Sequence, residues 1–170
     1  MLTKGENTYA DIETADDYIN GTYYEYNPLR VHWSVLTDGE KEMYLKQSLV
    51  QIERLPFRGQ KYYYRQKLMF PRFDPQSKYS GCYAGSYIFR PLYSAEIPEE
   101  LATAQAENAL GILQKEISSV TSRQSKSMQS LGAVKDIKNS VVQSSLTVNM
   151  PLTSTKAYEM LRGWLGGLRC

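Results

Sequence analysis

Histidine occurs once in this chain, as His32, and cysteine twice, as Cys82 and Cys170. Two cysteines so far apart build neither a disulfide framework nor a zinc site, and free thiols of a reducing compartment are expected. His32 has no serine, cysteine or carboxylate at triad or metal-ligand spacing, and beside Trp33 it is expected to pack rather than react. Gly163 and the pair Gly166 and Gly167 lack the strand–helix context and the lysine of a phosphate-cradling loop. These absences exclude the common enzyme classes, so no catalytic residue, metal or cofactor is expected. No apolar run approaches the roughly 18 residues of a membrane span. Residues 1–11 lack an apolar signal core, so neither a membrane nor secretion is expected. A net charge of +2 is too small to argue for nucleic acid by itself.

What the chain does have is tyrosine, 14 in 170 residues. Tyrosine combines broad contact area with a polar tip and is enriched at protein interfaces. Charge is also split. From Glu6 to Glu25 there are six acids and no base, and from Arg54 to Phe73 six bases and no acid. Opposite patches on one subunit suit head-to-tail contacts, which close into rings when the rotation allows.

The spacing predicts a mainly α protein: a small helical bundle with a long aromatic-rich loop, a short β-hairpin or extended segment, and a C-terminal helix. Residues 98–117 form its centre. Pro98 suits the first helical position, Glu99 and Glu100 complement the helix dipole, and Ala102, Ala106, Ala109, Leu110, Leu113 and Ile117 share a face. Asp11 caps a helix over 12–20, with Ile12, Ala15 and Ile19 inward and Asp16 and Asp17 on a solvated face. Thr37 and Glu40 form a capping box for a helix over 38–54, which Pro56 ends. Residues 57–93 hold eleven aromatics and read as a long loop, with short strands near 62–68 and 87–90 and order gained against a neighbour. The domain organisation is then a helical core over 1–120 with its loop at 57–95, a flexible serine-rich linker at 121–130 or a frayed continuation of the helix before it, and an extension over 131–170. That extension carries a strand-like segment and a last helix to about Leu165.

Two further clusters are candidate contacts. Arg58, Lys61, Arg65 and Lys67, with Arg54 and Arg72, interleave with Phe57, Tyr62, Tyr63, Tyr64 and Phe70. Bases that track phosphates beside rings that stack on nucleobases are what a single-strand binder uses. The other reading is a tyrosine-rich interface whose bases pair with acids on a neighbour. Tyr79, Tyr83 and Tyr87 extend the same loop.

In order, YADIETADDYI, the block from Trp33 through KEMYLKQSLVQIE, then FRG, LMFPRFD and IPEELATAQAENAL resemble the head–tail connector (head-completion or adaptor) proteins of tailed bacteriophages. Some relatives in that family carry the label of DnaT-like single-stranded DNA-binding proteins. The resemblance covers about 9–117 and implies a structural virion protein made in the host cytoplasm and placed in the neck. It implies a homo-oligomeric ring, dodecameric as a rule, that binds the portal protein and offers the attachment surface for the tail or a further neck protein. DNA passes through the channel without sequence readout. Residues 73–95 are longer and more aromatic than the family leads one to expect, which points to a partner-specific contact.

On this view a late apolar anchor docks the portal or a neighbouring subunit. The candidates are Val141, Val142, Leu146 and Val148, and the last helix with Tyr158, Leu161, Arg162, Trp164 and Leu165; alternatively that helix caps its own core. If it docks, truncation after Met150 leaves a folded domain. Arg58, Lys61, Arg65 and Lys67 face the channel or a neighbouring subunit. The other functional class is single-strand DNA binding in replication.

Overall fold

A run of alanines decides the architecture. A computed structural model of the chain describes residues 2–73, 97–129 and 151–166, the side chains of residues 73 and 120–129 excepted. Its long helix α4 (Glu99–Gln129) carries Ala102, Ala104, Ala106 and Ala109, whose small side chains let neighbours approach closely. Every residue in 101–113 except Thr103 and Gly111 is buried, so α4 is enclosed on nearly all sides. Around it pack α1 (Ile12–Thr22), α2 (Pro28–Val35), α3 (Asp38–Ile52) and α5 (Thr155–Leu161). One core cluster joins Ala15 and Ile19 of α1, Trp33 of α2, and Tyr44 and Leu45 of α3 to Ala102, Ala106, Ala109 and Leu110. The other joins Tyr9, Ile52, Leu55, Phe57, Leu68 and Phe70 to Leu101, Ala104, Leu152, Ala157 and Leu161.

The helix starts follow their caps. Asp11 accepts from the Thr14 amide at 2.8 Å, and the Thr37–Glu40 capping box forms as read, with the Thr37 amide donating to Glu40 at 2.8 Å. Asn27 caps α2 and Pro28 opens it, a short helix that the sequence reading did not assign.

Polar side chains bind the layers together inside the core. Gln105, fully buried, accepts from the amides of Tyr9 and Ala10, each at 2.9 Å. Its amide nitrogen donates to the Leu45 carbonyl at 2.8 Å and to the Thr8 hydroxyl at 2.9 Å. Asn108 donates to Gln51 at 3.0 Å and accepts from the amides of Thr153 and Ser154 at 2.9 and 3.0 Å. Among the described residues no buried side-chain nitrogen or oxygen lacks a partner.

Four expectations are corrected. The backbone at 121–129 is helical, because α4 runs to Gln129, so the linker gives way to the other reading of this stretch, a continuation of the helix. The last helix belongs to the central core, with Leu161 fully buried, and so is not an extension of it. Asp16 is not merely solvated: it accepts from the Trp33 indole at 2.7 Å and pairs with Lys41 at 2.9 Å. His32 does not pack; it is exposed on α2. Residues 131–150, where a strand-like segment was read, lie outside the described residues.

Gly111 makes a test of the α4–α5 fit. A glycine inside a helix ordinarily costs about 1 kcal/mol against alanine, so helix propensity alone says that Gly111→Ala stabilises. A Cβ there would stand 3.0 Å from the Ser154 Cβ, 3.1 Å from its amide nitrogen and 3.3 Å from its Cα, against backbone that Asn108 holds in place. The expected outcome of Gly111→Ala is a net loss of about 1–2 kcal/mol in urea unfolding; a gain would show that Ser154 yields freely.

Candidate interaction surface

The basic aromatic stretch folds as a hairpin. β1 (Gln60–Lys61) pairs antiparallel with β2 (Arg72–Phe73), Gln60 opposite Phe73 and Lys61 opposite Arg72. The strands therefore lie outside the 62–68 segment read as one, and that segment is the connecting loop. Gly59 turns into β1 with a φ of 74°, a conformation that favours glycine.

Three anchors stiffen this hairpin without a neighbour. Arg72 is buried, and its guanidinium donates to the carbonyls of Arg58 at 2.6 Å, Phe57 at 3.1 Å and Met69 at 3.3 Å, and to that of Gly59. Gln66 accepts from the Tyr63 amide and donates to the carbonyls of Leu68 and Pro71, all at 2.9 Å. Glu53, at the end of α3, accepts from the Met69 amide at 3.0 Å and from the Tyr9 hydroxyl. The expectation that this part of the loop orders only against a neighbour does not hold for residues 57–73.

The C-terminal residues buttress the hairpin base. The Trp164 ring meets the Phe70 ring edge-on at 5.5 Å, Phe57 bridges to Leu165, and the Arg58 amide donates to the Trp164 carbonyl at 3.0 Å. Tyr158, Trp164 and Leu165 are partly buried in this cluster, and Leu161 wholly. Of the last-helix docking candidates, Arg162 stays exposed, at 3.4 Å from Glu159. The alternative reading, in which that helix caps its own core, is the one the packing bears out. Val141, Val142, Leu146, Val148, Tyr79, Tyr83 and Tyr87 lie outside the described residues.

The interleaved cluster thus divides. Phe57, Phe70 and Arg72 are core, not surface. What remains outside is the tip: Tyr62 and Tyr63, edge-on at 4.8 Å, then Tyr64 at 99% exposure, with Lys61, Arg65 and Lys67. Lys61 donates to the carbonyls of Gln66 and Lys67 at 3.2 and 3.3 Å. Among the described residues no acid pairs with Arg65 or Lys67.

A second exposed patch escaped sequence reasoning. Tyr24 and Tyr26, between α1 and α2, are 68% and 82% exposed, and Val31 and Val35 of α2 stand outward with them. The signal was present: Val31 and Val35 are one turn apart, on the side of α2 away from buried Trp33.

The tyrosines wholly or partly buried in the core are held protonated. Burial and the Glu107 carboxylate push Tyr23 up to about 12, burial and Glu116 push Tyr44 up to about 12, and burial with Glu53 raises Tyr9 further. Such hydroxyls serve as donors that tie helices to carboxylates. Among the described residues no group of histidine, cysteine or acids could hold a metal ion, and no helix is long and apolar enough to cross a membrane.

Comparison with curated proteins and with solved structures returns no match. A family model described as "Putative DnaT-like ssDNA binding protein" matches residues 2–169, nearly the whole chain, and the protein belongs to that family.

Proposed function

We propose that the protein is a structural connector of a tailed-phage neck, which assembles with copies of itself into a ring beneath the portal, extends the DNA channel and offers the tail its attachment surface. The order of sequence blocks that resemble head–tail connectors supports this reading, as does a helical core whose polar groups serve packing. One observation carries it: the hairpin holds itself rigid yet presents Tyr64 with 99% of its surface free, beside Arg65 and Lys67, which pair with no acid among the described residues. A side chain so exposed stands clear of the described residues around it. Proteins that hold single strands run the backbone along a charged groove with rings stacked on successive bases. A stiff protruding tip suits insertion between subunits better.

Single-strand DNA binding is the second reading, favoured by the family description and by Lys61, Arg65 and Lys67 around the tyrosines. Negative-stain microscopy and oligonucleotide titration separate the two. The connector reading expects ring particles, alone or with portal. It also expects oligonucleotide affinity no tighter than the roughly 10⁻⁴ to 10⁻⁶ M of non-specific binding. Tight, steeply salt-dependent oligonucleotide binding by a protein that forms no rings would replace it with the second reading.

A further inference from the structure

The two exposed aromatic patches carry opposite charge. The hairpin tip has Tyr62, Tyr63 and Tyr64 among Lys61, Arg65 and Lys67. The α1–α2 corner has Tyr24, Tyr26, Val31 and Val35, with Glu25 between the tyrosines and Asp17 exposed on α1. Arg30 of α2 lies at this corner. It is committed to the carbonyl of Tyr23 at 2.8 Å and to that of Asn20 at 3.4 Å, and Lys156, 4.9 Å from the Tyr23 ring, is paired with Glu107, so Glu25 and Asp17 leave the corner acidic.

The patches sit at opposite ends of α5 and cannot satisfy each other within one copy. Near its start Lys156 reaches Glu107 at 3.1 Å, under the Tyr23 hydroxyl that donates to the same carboxylate at 2.8 Å. Past its end Trp164 and Leu165 support the hairpin. The helical rise between them exceeds about 10 Å, against the 4 Å or so of an ion pair. The ion pairs among the described residues lie elsewhere, on Asp16, Glu42, Glu107 and Glu159.

We propose that the hairpin tip of one copy docks on the α1–α2 corner of the next. This rests on the connector reading and names the contact that would close its ring. The occupant of each patch is a second copy because the same chain supplies both halves, matched in charge and each bearing uncovered tyrosines. Two different patches that bind each other form a heterologous contact, which repeats around an axis. Tyrosine contributes apolar area to such a contact, and the charges set register and reject wrong pairings.

A charge swap tests it in the full-length chain. Arg65→Glu with Lys67→Glu makes both patches acidic; Asp17→Lys with Glu25→Lys makes both basic. All four side chains are exposed, so circular dichroism should be unchanged in either double variant. In analytical ultracentrifugation each variant alone is expected to stay monomeric where the wild type assembles, a loss of about tenfold or more in association. Their equimolar mixture is expected to regain assembly, because every contact in an alternating ring is again between opposite charges. If each variant assembles as the wild type does, or if the mixture fails to recover, this pairing is overturned while the ring stands. A wild type that remains monomeric even with portal present overturns the connector reading, and this contact with it.

Discussion

A chain cut after Met150 is expected to lose its cooperative fold. The removed residues include Leu152, Ala157 and Leu161, all buried against α4 and the hairpin. Loss of a buried leucine side chain costs about 2–5 kcal/mol each. Trp164 leaves with them, and with it the edge-on partner of Phe70. Asn108 is then left with a carbonyl oxygen that had accepted from two amides, and burying it unpaired costs about 1–3 kcal/mol more. These losses together reach the roughly 5–15 kcal/mol by which domains are stable at all. The measurement is a thermal or urea transition followed by circular dichroism. A sharp transition near that of the full chain would show that α5 is an appendage. Leu161→Ala in the full chain provides the scale, since it should lower stability by about 2–5 kcal/mol and keep the transition cooperative.

That expectation reverses the one drawn from the sequence, and the reversal has a physical cause. Local signals were legible: the Asp11 cap, the Thr37–Glu40 box, and the inward face of Ala102, Ala106, Ala109 and Leu110 all appear where spacing placed them. Those signals concern neighbours a turn or less apart. The apolar stripe of the last helix is equally legible, but a stripe does not say which surface covers it. Leu161 and Trp164 find Phe70, nearly a hundred residues away, and no periodicity encodes that partner. Arg72 shows the same limit from the other side. In sequence it is one base in a run of bases, and only the fold reveals a guanidinium buried among four carbonyls. The tip survives as a candidate because Tyr64, Arg65 and Lys67 lie where the loop turns outward. The α1–α2 corner went unread because Tyr24 and Tyr26 precede a proline, which obscured the helix that follows.

The polar centre of α4 was the least legible feature and yields the second large effect. Gln105→Leu fills nearly the same volume and favours helix about equally. It removes the acceptor of the Tyr9 and Ala10 amides and the donor to the Leu45 carbonyl. All three backbone groups would then be buried where water does not reach, since Gln105 and both residues it holds at 9–10 are fully buried. At about 1–3 kcal/mol for each orphaned group, the expected loss is about 4 kcal/mol or more in urea unfolding. The slope should be unchanged, and the melting temperature should fall by about 10 °C. Thr103, two residues earlier and outside the core, provides the contrast: Thr103→Ala forfeits weak bonds to the Glu99 and Glu100 carbonyls at 3.4 and 3.1 Å and should stay within about 0.5 kcal/mol of the wild type. A loss below about 1 kcal/mol for Gln105→Leu would mean that the segment before α1 finds other partners. If the loss is as large as expected, the same bonds also position α1, and through it the acidic corner. Gln105→Leu should then weaken self-association at temperatures where the hairpin, anchored separately by Arg72, Gln66 and Glu53, remains intact.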